Sequence, residues 1–200
     1  MLSENIIGDK QDNLCKLCKQ CKPMHICIKT SELFNNLSYS NLEGSCQCGS
    51  IEFTLDSSTP VPYQLCACSI CRKIGGHIGA VNLGGIADSL KISKGKELIK
   101  KYTATKSRGT PSEEKCTSER NFCSQCGSML WLWDGSWPEL IHPFASAIDT
   151  DLPVPDEMVC IFEDSKPGWA RWPEGKKSVF KGYPEESLEG WHKKHGLFFE

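Results

Sequence analysis

Nowhere in the 200 residues is there an apolar run approaching the roughly 20 that a membrane-spanning helix needs, so no membrane partner is expected. Charge of one sign is also missing. The net charge is -2, with basic residues scattered among acidic ones, so no large positive field exists to hold a phosphate backbone, and nucleic acid is not an expected partner. The opening Met1-Leu2-Ser3-Glu4-Asn5 is polar and no apolar core of signal-peptide type follows it. That points away from secretion and towards a cytoplasmic, and also nuclear, location. No internal repeat of solenoid type is present. Residues 1–41 lack sustained apolar periodicity of either helical or strand type and are rich in Asn, Lys and Ser, so they are expected to form a disordered, cysteine-containing N-terminal extension.

What the chain has in abundance is cysteine, thirteen in all. In a reducing compartment, closely spaced cysteines are more often metal ligands than disulfides, and an odd total fits a complete disulfide framework poorly. Three clusters stand out: Cys46-Gln47-Cys48-Gly49, Cys66-Ala67-Cys68-Ser69-Ile70-Cys71 and Cys123-Ser124-Gln125-Cys126-Gly127. Two cysteines around a tight turn with a following Gly can aim both sulfurs at one ion. Tetrahedral structural zinc wants four thiolates or imidazoles, so Cys123 and Cys126 need a second pair, and Cys46 with Cys48 supplies it. The middle cluster contributes three sulfurs and leaves one tetrahedral position open, the feature a catalytic zinc requires. Two zinc ions are therefore expected. An iron–sulfur cluster, redox dithiols and ordinary buried cysteines are the competing readings.

Ile51, Phe53 and Leu55 alternate with Glu52 and Thr54, the period of a strand with one buried face, and Ser57 to Pro60 reads as a turn. Short runs recur at 78–83, 90–93, 99–103, 129–133 and 159–162, mostly between Gly, Asp or Pro clusters. The expectation is a mainly β, antiparallel fold stabilised by zinc. A helix over 185–195 follows Pro184, with Leu188, Trp191 and His192 at helical intervals.

The stretch Gly44 to Phe53 resembles the opening of the glutathione-dependent formaldehyde-activating enzyme family, also called the centromere protein V type. Cys66-Ala67-Cys68-Ser69-Ile70-Cys71-Arg72-Lys73 resembles its middle motif, Asn121 to Leu130 its third and Ile161 to Trp169 its closing segment. The likeness runs in order from about residue 42 to about 182 and implies three parts: the extension 1–41, a zinc domain 42–182 with the Mss4-like fold, and a helical tail 183–200. It also implies that Cys46, Cys48, Cys123 and Cys126 hold a structural zinc, while Cys66, Cys68 and Cys71 are the catalytic residues and hold a catalytic zinc. The implied activity is that of a carbon–sulfur lyase acting on glutathione, or a related thiol, and formaldehyde. The alternative is a non-catalytic zinc-stabilised binding module. Two stretches depart from the family pattern: residues 1–41 and the long insert Thr105 to Lys115.

Other candidates each face a plainer reading. Arg72 and Lys73 follow the middle cluster and suit a substrate carboxylate, or are solvated charge. His77 suits the open metal position or a proton relay, or is a surface or core histidine. Trp131, Trp133 and Trp137 suit ligand stacking, although the first two alternate along a strand and fit its packed face. Cys15, Cys18, Cys21 and Cys27, with His25 among them, have the spacing of a third metal site but no glycine turn or strand to preorganise it. Cys116 and Cys160 read as ordinary packing.

Overall fold

Ile51, Phe53, Leu55 and Ser57 are buried, Glu52 is exposed and Thr54 and Asp56 are half-buried, so the alternation seen in the sequence does make a strand with one core face. The computed structural model describes residues 40–57 and 59–196, and the chain is mainly β. A three-stranded sheet has the order β1 (Ser40–Ser45), β2 (Glu52–Ser57), β5 (Lys91–Lys94). An eight-stranded sheet runs β11 (Lys177–Val179), β10 (Met158–Ile161), β3 (Thr59–Cys66), β4 (Ala80–Ile86), β9 (Leu140–Pro143), β8 (Met129–Trp133), β7 (Glu114–Cys123), β6 (Ile99–Lys106). The two helices described are α1 (Ser69–Gly75) and α2 (Leu188–Lys194).

The main core lies between the sheets. Leu42, Phe53 and Leu55 of the small sheet meet Leu83, Trp131 and Ile141 of the large one. Phe53 and Trp131 pack edge to face at 5.1 Å and 69°, and burying each such ring contributes about 2–3 kcal/mol. Trp131 is thus a core residue. Trp133 donates its indole N–H to the Pro138 carbonyl at 3.1 Å, and Trp137 stands exposed.

All strand pairs are antiparallel except those of β10, which runs parallel to both β3 and β11. Val159 and Ile161 face one buried cluster and Cys160 another, so β10 is buried on both sides and reads as one unbroken apolar run. Cys160 and Cys116 are indeed buried.

Three expectations change. The stretch 57–60 is not a free turn, because β2 ends at Ser57 and β3 begins at Thr59. Pro60 and Pro62 fall where β3 loses regular pairing with β4, between Thr59 and Gln64, so neither removes a needed ladder donor. The terminal helix is shorter than 185–195. Ser187 caps it by accepting from the Gly190 N–H at 3.0 Å, which leaves Glu185 and Glu186 outside. The insert 105–115 forms the far end of the β6–β7 hairpin, with a turn from Ser107 to Glu113. The sequence pattern missed β1, β3, β7, β9, β11 and α1.

Candidate metal centres

Both cysteine pairs with a following glycine sit at hairpin tips. β1 runs into Cys46 and β2 leaves after Ile51, with Gly49 N–H to Cys46 O at 2.8 Å and Cys46 N–H to Ile51 O at 3.1 Å. β7 ends at Cys123, with Gly127 N–H to Cys123 O and Cys123 N–H to Ser128 O, both at 2.9 Å. Gly49 and Gly127 have φ of +69° and +76°, the left-handed region that a Cβ disfavours, so each turn depends on its glycine.

The sequence puts these tips 75 residues apart, and the fold brings them together: the Sγ atoms of Cys46, Cys48, Cys123 and Cys126 all lie within 4.8 Å of one another. Cys46 Sγ is 3.4 Å from Cys48 Sγ, which is 3.9 Å from Cys123 Sγ. Four sulfurs at about 2.3 Å from a tetrahedral ion would stand about 3.8 Å apart, so this donor set fits zinc. Backbone N–H groups already serve the sulfurs, Ile51 to Cys46 at 3.2 Å and Gln125 to Cys123 at 3.4 Å. Gln47 N–H to Ser128 Oγ at 3.0 Å and Ser50 Oγ to Gln125 Oε1 at 3.3 Å lace the tips together. Hydrogen bonds from Ser128 hold the Cys126 thiol down at about 6, those from Ser50 lower Cys48, and desolvation pushes Cys123 up to about 11.

Cys66, Cys68 and Cys71 come from one short stretch that changes from strand to helix. Cys66 ends β3, Cys68 is the N-cap of α1 and accepts from the Cys71 N–H at 3.4 Å, and Cys71 lies in the first turn. Their sulfurs are also within 4.8 Å of one another, and among the described residues no fourth Cys, His, Asp or Glu joins them. Cys66 and Cys71 are buried and Cys68 half-buried, beside Phe144, Val159, Ile161 and Phe180. Hydrogen bonds from Cys66 and Cys71 hold Cys68 down at about 2; the bond to Cys68 pushes Cys66 up to about 12, and Cys66 and Cys68 push Cys71 higher still. Each thiolate disfavours ionisation of its neighbours, and a cation at their centre would favour the thiolate form of all three. The donors suit a metal with one position left for another ligand.

Residues that the sequence pattern did not mark complete the surroundings. Phe162, in the apolar rim of the Cys66, Cys68 and Cys71 cluster, has φ +64°, a strained backbone for a bulky side chain. Tyr183 packs edge-on against it at 4.8 Å. The Tyr183 pKa is raised, by desolvation first and then by the Cys66, Cys68 and Cys71 thiolates, while Arg120 opposes. A cavity of about 620 Å³ between Gln64, Val159, Phe180, Tyr183 and α2 adjoins this rim.

The remaining candidates go elsewhere. Arg72 uses one guanidinium nitrogen to donate to the carbonyls of Ala67 and Ser165, tying α1 to the closing segment. Lys73 is exposed, and so is His77, whose ring stands 6.0 Å from that of Trp169. Cys15, Cys18, Cys21, His25 and Cys27, with the extension 1–41, lie outside the described residues apart from Ser40 and Asn41. No helix among the described residues is long and apolar enough to cross a membrane.

Comparison with known proteins gives the following likenesses. The family model described as "Glutathione-dependent formaldehyde-activating enzyme" matches residues 41–164, a span that holds all seven clustered cysteines. A Halomonas elongata protein named "Putative glutathione-dependent formaldehyde-activating enzyme" is 47% identical over 158 residues, covering 78% of this chain and 97% of that protein. A crystal structure of a Rhodobacter sphaeroides protein aligns with a TM-score of 0.42 at 23% identity, over 56% of this chain and 91% of that one.

Proposed function

This chain belongs to the glutathione-dependent formaldehyde-activating enzyme family, and from that premise we propose that it joins formaldehyde to the thiol of glutathione or a close relative. The substrate sulfur attacks the carbonyl carbon, a C–S bond forms and the thiol proton ends on the carbonyl oxygen. The reverse reaction breaks the same bond, which makes the activity that of a carbon–sulfur lyase. The observation that carries this reading is the Cys66, Cys68 and Cys71 trio, three converging sulfurs with no fourth protein ligand among the described residues. These three are the catalytic centre of the proposal and would hold a zinc, which stabilises a substrate thiolate at neutral pH. Cys46, Cys48, Cys123 and Cys126 would hold a second, structural zinc.

The chain's own part is to keep that centre shaped and dry. Phe144, Val159, Ile161 and Phe180 pack around the trio and limit water on the buried side. Arg72 holds α1, and with it Cys71, against the closing segment. The working unit in this reading is residues 42–182 with a helical tail 183–200, acting in the cytoplasm or nucleus on a small thiol, without nucleic acid or membrane. A third zinc at Cys15, Cys18, Cys21 and Cys27 is part of the same proposal. It requires one more equivalent of metal in the full chain than in a chain beginning near Asn41, and equal contents would remove it.

Exchange NMR tests the reaction: conversion between free glutathione with formaldehyde and their adduct is followed with zinc-loaded protein and with Cys68→Ser. Acceleration that disappears in the variant supports the lyase. A rate equal to the spontaneous one rejects glutathione with formaldehyde as the substrate pair and leaves a family member with another substrate, or a non-catalytic binding module.

A further inference from the structure

The face of the large sheet that carries Cys66 also carries two buried side-chain atoms, Asn82 Oδ1 and Arg120 Nε, for which the described residues supply no hydrogen-bond partner. Strand register places them. Cys66 stands opposite Ala80 and Gln64 opposite Asn82, so Asn82 shares the face of Cys66. Asn82 bridges to Phe144, which packs with Cys66 and Cys71. His142, two residues before Phe144, stands opposite Leu132, and Leu132 opposite Arg120. His142 and Arg120 therefore continue the same face across β9, β8 and β7.

Arg120 is only 5% exposed. One of its terminal nitrogens donates to Ser118 Oγ at 3.2 Å, its Nε is buried without an acceptor, and it makes no ion pair among the described residues. A buried guanidinium without an anion is strongly disfavoured, and a buried N–H without an acceptor is rare. Asn82 shows the complementary want. Its Nδ2 donates to the Ala80 carbonyl at 3.4 Å, which orients the amide and leaves Oδ1 buried without a donor. One orphan asks for an anion and the other for an N–H.

We propose that Arg120 anchors a carboxylate of the thiol substrate, while Asn82 accepts from an amide or ammonium N–H of the same molecule. The inference rests on the thiol chemistry assigned above and goes beyond it only in naming the residues that would hold the carboxylate and the N–H of that substrate. Glutathione carries both groups; a bare thiol such as 2-mercaptoethanol carries neither.

The test is calorimetric titration of the zinc-loaded full chain with glutathione and with its diethyl ester, in wild type, Arg120→Gln and Arg120→Lys. Wild type is expected to bind the ester at least about tenfold more weakly, and Arg120→Gln to lose at least about tenfold in affinity for glutathione, with Arg120→Lys recovering part. In the exchange assay Arg120→Gln raises KM for glutathione by a larger factor than it lowers kcat, and lowers the rate with glutathione by a larger factor than the rate with 2-mercaptoethanol. Equal binding of ester and acid by wild type, or full glutathione affinity in folded Arg120→Gln, overturns the anchor. If circular dichroism shows that Arg120→Gln does not fold, the ester comparison on wild type decides. Glutathione binding without catalysed exchange would reject the reaction and leave the anchor standing, and a wild type that binds neither probe would overturn both.

Discussion

The two cysteine centres use the same ligand atom and are built in opposite ways. The four-cysteine centre draws on two hairpin tips, β1–β2 of the small sheet and β7–β8 of the large one, and its ligand set is closed. The three-cysteine centre draws on one stretch, Cys66 to Cys71, at a strand-to-helix junction, and its set is short by one. A centre that ties distant segments acts on folding, because the unfolded chain has no preformed site and metal binding becomes folding free energy. A centre made locally ties nothing far away, so its coordination can be left incomplete for chemistry.

Breaking the first centre is expected to have the largest effect. Structural zinc sites contribute roughly 10–16 kcal/mol in apparent terms, as much as the roughly 5–15 kcal/mol by which a whole domain is stable. Cys123→Ser should therefore abolish the cooperative thermal transition followed by circular dichroism, and an unchanged Tm would erase the contrast. Cys68→Ser is expected to lower adduct exchange at least about 100-fold, since losing even an outer hydrogen-bond partner of a metal ligand costs 10–100-fold. Metal content should fall by one equivalent while Tm stays within a few degrees; a collapse like that of Cys123→Ser would show that the second centre is structural too.

Gly127→Ala sharpens the comparison by straining one hairpin tip without touching a sulfur. A Cβ there meets nothing within 4 Å, so the cost is the left-handed backbone alone, about 1–2 kcal/mol, or roughly 2–4 °C of Tm per kcal/mol. Gly168→Ala, equally open but without positive φ, should leave Tm unchanged. The smallest effect concerns the face beside the second centre. Burial holds the His142 imidazole below the usual histidine range, against a bond from its Nδ1 to the Leu83 carbonyl at 3.1 Å. As pH falls the unfolded chain takes up this proton first, so the stability it contributes is present above about pH 6.5 and lost below it. Wild type is thus expected to lose more Tm than His142→Gln between pH 7.5 and 5.5, and parallel losses would refute a buried neutral imidazole.

Much of this was legible in one dimension. The turns Cys46 to Gly49 and Cys123 to Gly127 are local, since a second cysteine and a positive-φ glycine at fixed spacing shape them. The alternation at 51–55 marked β2, and β8 coincided with 129–133. β3 and β7 were hidden, the first by Pro60 and Pro62, the second by its run of charged residues, because both are held by neighbours on either side rather than by their own propensity. Arg72 and His77, singled out by nearness in sequence to the middle cluster, went to a packing role and to solvent. Arg120 is far from every cluster in sequence except the third, and nothing in its local pattern announces a buried cation.

Ligand identity, the spacing within each cluster and the strain-bearing glycines are covalent, local properties, and they already imply metal chemistry on any fold that leaves those turns intact. Which pair meets which, and which polar groups share a face with Cys66, depend on strand order and register. Register has a period of two residues and is set only when both sheets close on their common core around Phe53 and Trp131, so a shift of one residue would turn Arg120 and Asn82 away from the site.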